Sequence, residues 1–345
     1  MCCPDGHPCL DVFLFWGNPR IKTSLRSRSV CLSRGVDFLL DFYPESLIMK
    51  AAKLVLFRNW QYTLLGGIVL TIVLWSAIKV PGMALNARFA PSNPRLGETL
   101  VVNITPSPGK TTTPTIKVGN KTYPAFNIGA NRFRAMIPTT PLEQPGDRNL
   151  TISSNPDTTT LKISVADRQF KTQRINFSGG KSWIEATELE LRQVAAFKAT
   201  VSPEKLWEGN FIAPNDGRTS SPFGVRRYYN GELAMDYYHR GLDYAGGYGS
   251  AVVAPAAGKV VLIGYEKKGF RVHGNVVGLD HGQGVVSIFM HLSKIAVEEG
   301  QMLEPGDRIG SIGSTGASTG PHLHWGLYVN AVSVDPVQWR LNSID

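Results

Sequence analysis

Near its C-terminus the chain reads Ser318-Thr319-Gly320-Pro321-His322-Leu323-His324-Trp325-Gly326-Leu327. Side chains alternate in an extended strand, so His322 and His324 share one face and Leu323 takes the other. A lone histidine on an apolar strand is ordinarily a satisfied core group. Two imidazoles on one face, just after a Gly-Pro corner, suit a metal grip. The stretch therefore asks whether other segments supply further ligands.

Two segments upstream can do so. In Tyr238-His239-Arg240-Gly241-Leu242-Asp243-Tyr244-Ala245, an imidazole and a carboxylate stand four residues apart. That separation puts both on one face of a strand, and Gly241 favours the extended form over a helix. Imidazole plus carboxylate is an ordinary ligand pair for Zn²⁺, although alone the pair reads better as a surface ion pair. In Val285-Val286-Ser287-Ile288-Phe289-Met290-His291-Leu292-Ser293, Val286, Ile288, Met290 and Leu292 form one apolar face. Ser287, Phe289 and His291 form the other. This predicts a strand ending in a histidine on its less apolar side, with a packed histidine at a sheet rim as the plain alternative.

The rest of the composition suits strands and turns. The chain has 345 residues, 43% of them hydrophobic, with 35 glycines and 22 prolines, enough for about two domains. A net charge of +9 favours anionic partners in general. No dense Lys/Arg run is interleaved with aromatics, which argues against nucleic acid. The cysteines, Cys2, Cys3, Cys9 and Cys31, all precede Met49, so the body of the chain needs no disulfides.

Residues 1–48 show no clear periodicity and read as a doubtful leader or a cytoplasmic tail. Residues 49–84 read as a signal peptide or signal anchor: Lys50, Lys53 and Arg58 precede an uncharged apolar core over 62–78. Either form sends the remainder across a membrane, into a periplasm or cell envelope. An uncleaved anchor in the inner membrane is the favoured form.

Residues 88–177 alternate in short runs, such as Leu100, Val102 and Ile104, punctuated by Pro106-Ser107-Pro108-Gly109 and Gln144-Pro145-Gly146-Asp147. They predict a small immunoglobulin-like β-sandwich acting as a spacer or binding module. Ser182-Trp183-Ile184-Glu185 fits a capping box and predicts a linker helix over 182–198 that buries Ile184, Leu191, Val194 and Phe197. Residues 206–345 then read as a mostly β domain with little helix.

Taken in order, His239-x-x-x-Asp243, the strand ending His291-Leu292-Ser293, and Gly320-Pro321-His322-Leu323-His324-Trp325 resemble the lysostaphin-type, LytM-like zinc metallopeptidases. The resemblance spans about Leu206 to Trp339. It implies an antiparallel β-sheet domain of the lysostaphin, duplicated-hybrid-motif type, with Zn²⁺ held by His239, Asp243 and His324. It implies that His291 and His322 are catalytic but not ligands. A catalytic zinc keeps one position open, which agrees with three protein ligands. The implied activity is endopeptidase cleavage in peptidoglycan cross-links or stem peptides, and the implied partner is peptidoglycan, with a protein activator left open. The alternatives are a catalytically inactive envelope protein that regulates another wall hydrolase, and a zinc endopeptidase acting on proteins. His281 reads as structural, His273 as part of an exposed loop. Phe289, standing where many relatives have tyrosine, is expected at the cleft wall.

Overall fold

Alternation in the sequence becomes alternation across antiparallel sheets in the computed structural model, which describes residues 85–109, 112–175, 185–342 and 344. The leader, the apolar core at 62–78 and the Ser182 cap lie outside these residues. Among the described residues no helix is long and apolar enough to cross a membrane.

The first strands are β1 (Asn86–Ala90), β2 (Thr99–Thr105), β3 (Thr115–Val118), β4 (Lys121–Asn127), β5 (Phe133–Pro138), β6 (Gly146–Ser154) and β7 (Asp157–Val165). They join in the order β1-β2-β5-β4-β3-β6-β7. Strand β4 divides its pairing: Lys121 to Pro124 face β3, and Ala125 to Asn127 face β5. The path thus folds over one core, where Leu100, Val102 and Ile104 meet Ile116, Leu150, Ile152, Ile163 and Val165. Each such side chain, fully buried, contributes about 1.5–3 kcal/mol of hydrophobic stabilisation.

Strand β5 and the Thr99–Val102 part of β2 are buried on both faces. Val101 and Met136 point away from the sandwich core and join the cluster of Phe211, Trp207 and Trp339 from the second half of the chain. Hydrogen bonds cross the same seam. The Gln338 side chain accepts from the Thr99 amide at 2.7 Å and donates to its carbonyl at 3.0 Å. Asn330 Nδ2 donates to the Met136 carbonyl at 2.8 Å, and Arg134 donates to Gln283 at 2.5 Å. A module tethered only by a linker would show a solvated outer face; this one shares a core with its neighbour.

Next come β8 (Thr172–Ile175) and helix α1 (Glu188–Lys198). The helix begins later than the sequence suggests. Its N-cap is Thr187, and Thr187 and Glu190 form the capping box. Both Ser182-x-x-Glu185 and Thr187-x-x-Glu190 satisfy the pattern, and long-range contacts choose the second. Val194 and Phe197 are buried as expected and pack with Val276, Ile288 and Tyr328, whereas Leu191 is half-buried.

The remaining strands are β9 (Arg218–Ser221), β10 (Arg226–Tyr229), β11 (Glu232–Leu233), β12 (Leu242–Ala245), β13 (Ala251–Val253), β14 (Gly258–Gly264), β15 (Asn275–Gly282), β16 (Val285–Ile295), β17 (Met302–Leu303), β18 (Arg308–Ile312), β19 (Leu323–Val329) and β20 (Val332–Val334). Helix α2 (Pro336–Leu341) follows. The spine of the large sheet runs β17-β14-β15-β16-β19-β12-β9. A smaller sheet, β11-β10-β8, places the chain leaving the sandwich parallel to β10. The described chain is therefore mostly antiparallel β with few helices.

Candidate metal centre

Strand β19 does what its alternation requires. Leu323, Trp325 and Leu327 are fully buried on the core face. Trp325 Nε1 donates to Ser287 Oγ at 3.2 Å, pinning that face to β16. His324 and Tyr328 point to the opposite side, where an open groove also takes in Asp243, Met290, His291 and His322.

Pairing brings the histidines and the carboxylate together. His324 lies directly across from Asp243 on β12 and from Met290 on β16, and cross-strand neighbours have Cβ atoms only about 5 Å apart. His239 is reached through the segment before β12. Its amide donates to the Val225 carbonyl at 2.9 Å, and its carbonyl accepts from Gly224 at 2.8 Å. Gly241 makes room: a Cβ there would come within 2.4 Å of the Trp325 carbonyl oxygen and 2.8 Å of His324 Nε2. The glycine that suggested an extended chain is thus required by the approach of the His324 ring.

Three atoms converge. His239 Nε2 is 3.0 Å from Asp243 Oδ1, His324 Nδ1 is 2.9 Å from the same oxygen, and the two ring nitrogens are 3.1 Å apart. His239 Nδ1 sits 2.8 Å from the Pro222 carbonyl oxygen, which can only accept. That contact fixes the ring proton on Nδ1 and leaves Nε2 as a lone pair. A set of this kind is satisfied either by extra protons on the imidazoles or by a cation. Tetrahedral ligands about 2.0 Å from a zinc ion stand about 3.3 Å from one another. The donor set and its spacing fit that ion, and among the described residues no other His, Cys, Asp or Glu group forms such a cluster. Burial alone would raise the Asp243 carboxyl, but hydrogen bonds and charge from His239 and His324 outweigh it and hold it far below the usual carboxylate range.

His291 and His322 stand beside this cluster, their ring centroids 4.8 Å apart, and His291 lies 6.4 Å from the His324 ring. His291 Nδ1 faces the Thr315 carbonyl at 2.8 Å, and His322 Nδ1 faces the Gly320 carbonyl at 2.8 Å. Both rings therefore carry their proton on Nδ1 and offer Nε2 as an acceptor. Burial, helped by the nearby His322 and His324, pushes His291 down to about 3, so it is uncharged at neutral pH.

The placement of His291 differs from the alternation argument. Between Phe289 and Leu292 the β15–β16 register shifts, and His291 takes φ +65°, in the left-handed region. Non-glycine residues rarely adopt this conformation. The bulge throws His291 to the Met290 side, into the groove, and turns Leu292 into the core beside Phe289. Phe289 is fully buried there, not a wall of the cleft.

His281 is structural in its contacts. It is fully buried, with Nδ1 donating to the Ala257 carbonyl at 2.8 Å and Nε2 2.9 Å from Ser287 Oγ. Burial pushes it down to about 4. His273 corrects the expectation of an exposed loop. It is 3% exposed, its ring bound to Glu190 at 2.6 Å, and it lines the groove. Its partner lies 83 residues away, beyond any local signal. Arg227, Tyr237, Arg240, Val272 and Tyr328 also line the groove. Of these, Tyr328 was available from the sequence, four residues beyond His324 on the same strand face. Among the groove-lining residues none comes from the β1–β7 sandwich.

An antiparallel β domain holding a His-Asp-His cluster beside two further imidazoles defines a metallopeptidase-type site. Residues 237–336 match the model of peptidase family M23. The chain is 42% identical over 124 residues to the DD-carboxypeptidase/endopeptidase Mpg of Neisseria meningitidis, covering 36% of this chain and 27% of that protein. It is 33% identical to the catalytic domain of the antimicrobial peptidase lysostaphin from Staphylococcus simulans, covering 35% of this chain and 90% of that domain, at a TM-score of 0.30. A crystal structure of a Pseudomonas aeruginosa protein described as an M23 peptidase covers 73% of this chain and 96% of its own, at 28% identity and a TM-score of 0.55. The chain spans about a quarter of the length of the curated relatives it matches.

Proposed function

We propose that this chain is a zinc-dependent endopeptidase that hydrolyses peptide bonds in peptidoglycan cross-links or stem peptides, exported to the cell envelope by its N-terminal apolar segment. The carrying observation is the convergence of His239 Nε2, Asp243 Oδ1 and His324 Nδ1, with two acceptor imidazoles adjoining. Peptidoglycan as substrate rests on relatives such as the peptidoglycan DD-endopeptidase ShyC of Vibrio cholerae, 33% identical over 121 residues.

His239, Asp243 and His324 would hold the zinc, which when bound supplies Lewis acidity toward a scissile carbonyl and makes hydroxide available near pH 7. The two remaining histidines divide the proton work by their surroundings. His322 is half-buried, so it can carry the charge it gains on accepting the proton of the attacking water at Nε2. It then returns that proton to the departing amine. His291 is nearly sealed from solvent and stays neutral, so its Nε2 orients the water by accepting a hydrogen bond. The Thr315 and Gly320 carbonyls keep both rings in the tautomer this needs.

The test is incubation of the purified full chain with peptidoglycan sacculi, scoring new free amino groups and altered muropeptides. Zinc-dependent release that disappears in His324→Ala supports the reading. A folded, zinc-loaded chain that releases nothing overturns it in favour of a regulator of another hydrolase. Cleavage of proteins but not sacculi overturns the substrate.

A further inference from the structure

We propose that Glu190, at the start of α1 and outside the segment that matches the family, is a positioning residue for His291, acting through the turn Arg271-Val272-His273. The inference rests on the peptidase reading above for its kinetic arm only.

Glu190 is fully buried. Its carboxylate accepts from the Arg271 amide at 3.0 Å, the Val272 amide at 3.1 Å and the His273 amide at 2.7 Å, and it binds the His273 ring at 2.6 Å. A second contact ties it to the helix: the Thr187 amide donates to it at 3.3 Å, closing the capping box. A capping glutamate ordinarily satisfies its own helix and faces water. This one gathers three consecutive amides of a distant turn: those of Val272 and His273, and that of Arg271, which it shares with the Gly269 carbonyl.

The turn it holds reaches the site directly. The His273 carbonyl accepts the His291 amide at 3.0 Å, and the Val272 carbonyl accepts the Ala317 amide at 2.9 Å. Ala317 lies two residues beyond Thr315, whose carbonyl orients the His291 ring. Both anchors of His291, one on its backbone and one on its ring, therefore lie in the 271–273 turn or in a segment bonded to it. His291 needs such anchors because φ +65° is unfavourable for a non-glycine residue and persists only when surroundings over-determine it. Without the carboxylate the turn loses its centre, and His291 can relax into regular strand geometry, which swings its ring out of the groove.

Two variants of the full chain test this, Glu190→Gln, which keeps shape and one acceptor, and Glu190→Ala, which removes both. We expect kcat to fall about tenfold in Glu190→Gln and further in Glu190→Ala, with KM within about twofold and zinc stoichiometry unchanged. Amide hydrogen exchange should speed up at Val272, His273 and His291 while β14 and β15 keep parental protection. The exchange arm is independent of catalysis, so it stands even if the parent cleaves nothing. Parental exchange at His291 in the folded Gln variant overturns the proposal. So does a uniform rise across the domain, which would mark a structural role alone.

Discussion

The groove is built beside two buried carboxylate–imidazole clusters that use the same residue types to opposite ends. In one, Asp243 meets His239 and His324; in the other, Glu190 meets His273. Around Glu190 every contact is a donor pointing at an acceptor: the amides of Thr187, Arg271, Val272 and His273 and a ring N–H on one carboxylate. Around Asp243 the donors fall short. The one proton of a neutral His239 ring is committed to the Pro222 carbonyl, so the His239 Nε2 lone pair faces the Asp243 oxygen at 3.0 Å. Residue type therefore does not distinguish a metal centre from a structural pair. The direction of the protons does.

The strongest way to break the contrast is His324→Ala. Zinc content measured by metal analysis should fall, and hydrolysis should drop by roughly a hundredfold or more. Chelation should do the same to the parent, reversed by added zinc. His322→Ala comes next: hydrolysis again falls by about a hundredfold, but zinc stays bound. Loss of zinc from His322→Ala would mean the ligand set has been divided wrongly.

Acid should separate the two clusters in the folded protein. Metal ligands must be deprotonated, so zinc affinity falls as the pH drops and the imidazoles compete for protons. Burial alone would raise the Glu190 carboxyl, but its hydrogen bonds and the charge of His273 hold it below the ordinary value of 4.5. A carboxyl depressed in the folded state contributes stability above its unfolded pKa and loses it as pH falls through the folded pKa. Titration from pH 7 to 5 should therefore release zinc while amide protection at Val272 and His273 persists. Protection lost together with zinc would show that the clusters are coupled. The smallest effect is expected away from both. Gln338→Ala removes two hydrogen bonds to the Thr99 backbone and should cost about 1–3 kcal/mol in chemical denaturation, with zinc content unchanged.

The two short pieces of the His239–Asp243–His324 cluster were open to reading from sequence, whereas their joining into one ligand set was only what the family resemblance implied. His322 to His324 and His239 to Asp243 each fit within a few residues, and period two puts partners on one face. The Glu190 cluster was not open to such reading. Ser182-Trp183-Ile184-Glu185 and Thr187-Glu188-Leu189-Glu190 match the same capping pattern, and only the distant turn at Arg271 to His273 decides between them. His273 looked exposed because its neighbours are Arg271 and Gly274, while the group that buries it belongs to another element. The bulge at His291 defeats alternation for a related reason: a backbone in the left-handed region is held by carbonyls from two other segments. Strands β2 and β5 showed the sandwich face plainly, but Val101 and Met136 gave no local sign that their second face was also covered.

That second face bears on how the protein could be divided. Val101, Met136 and Thr99 bind Trp339 and Gln338 near the C-terminus, closing the described chain almost end to end. Cutting at the family boundary would strip a finished side from the large sheet and bare apolar surface to solvent. A transplanted version should therefore carry its sandwich with it.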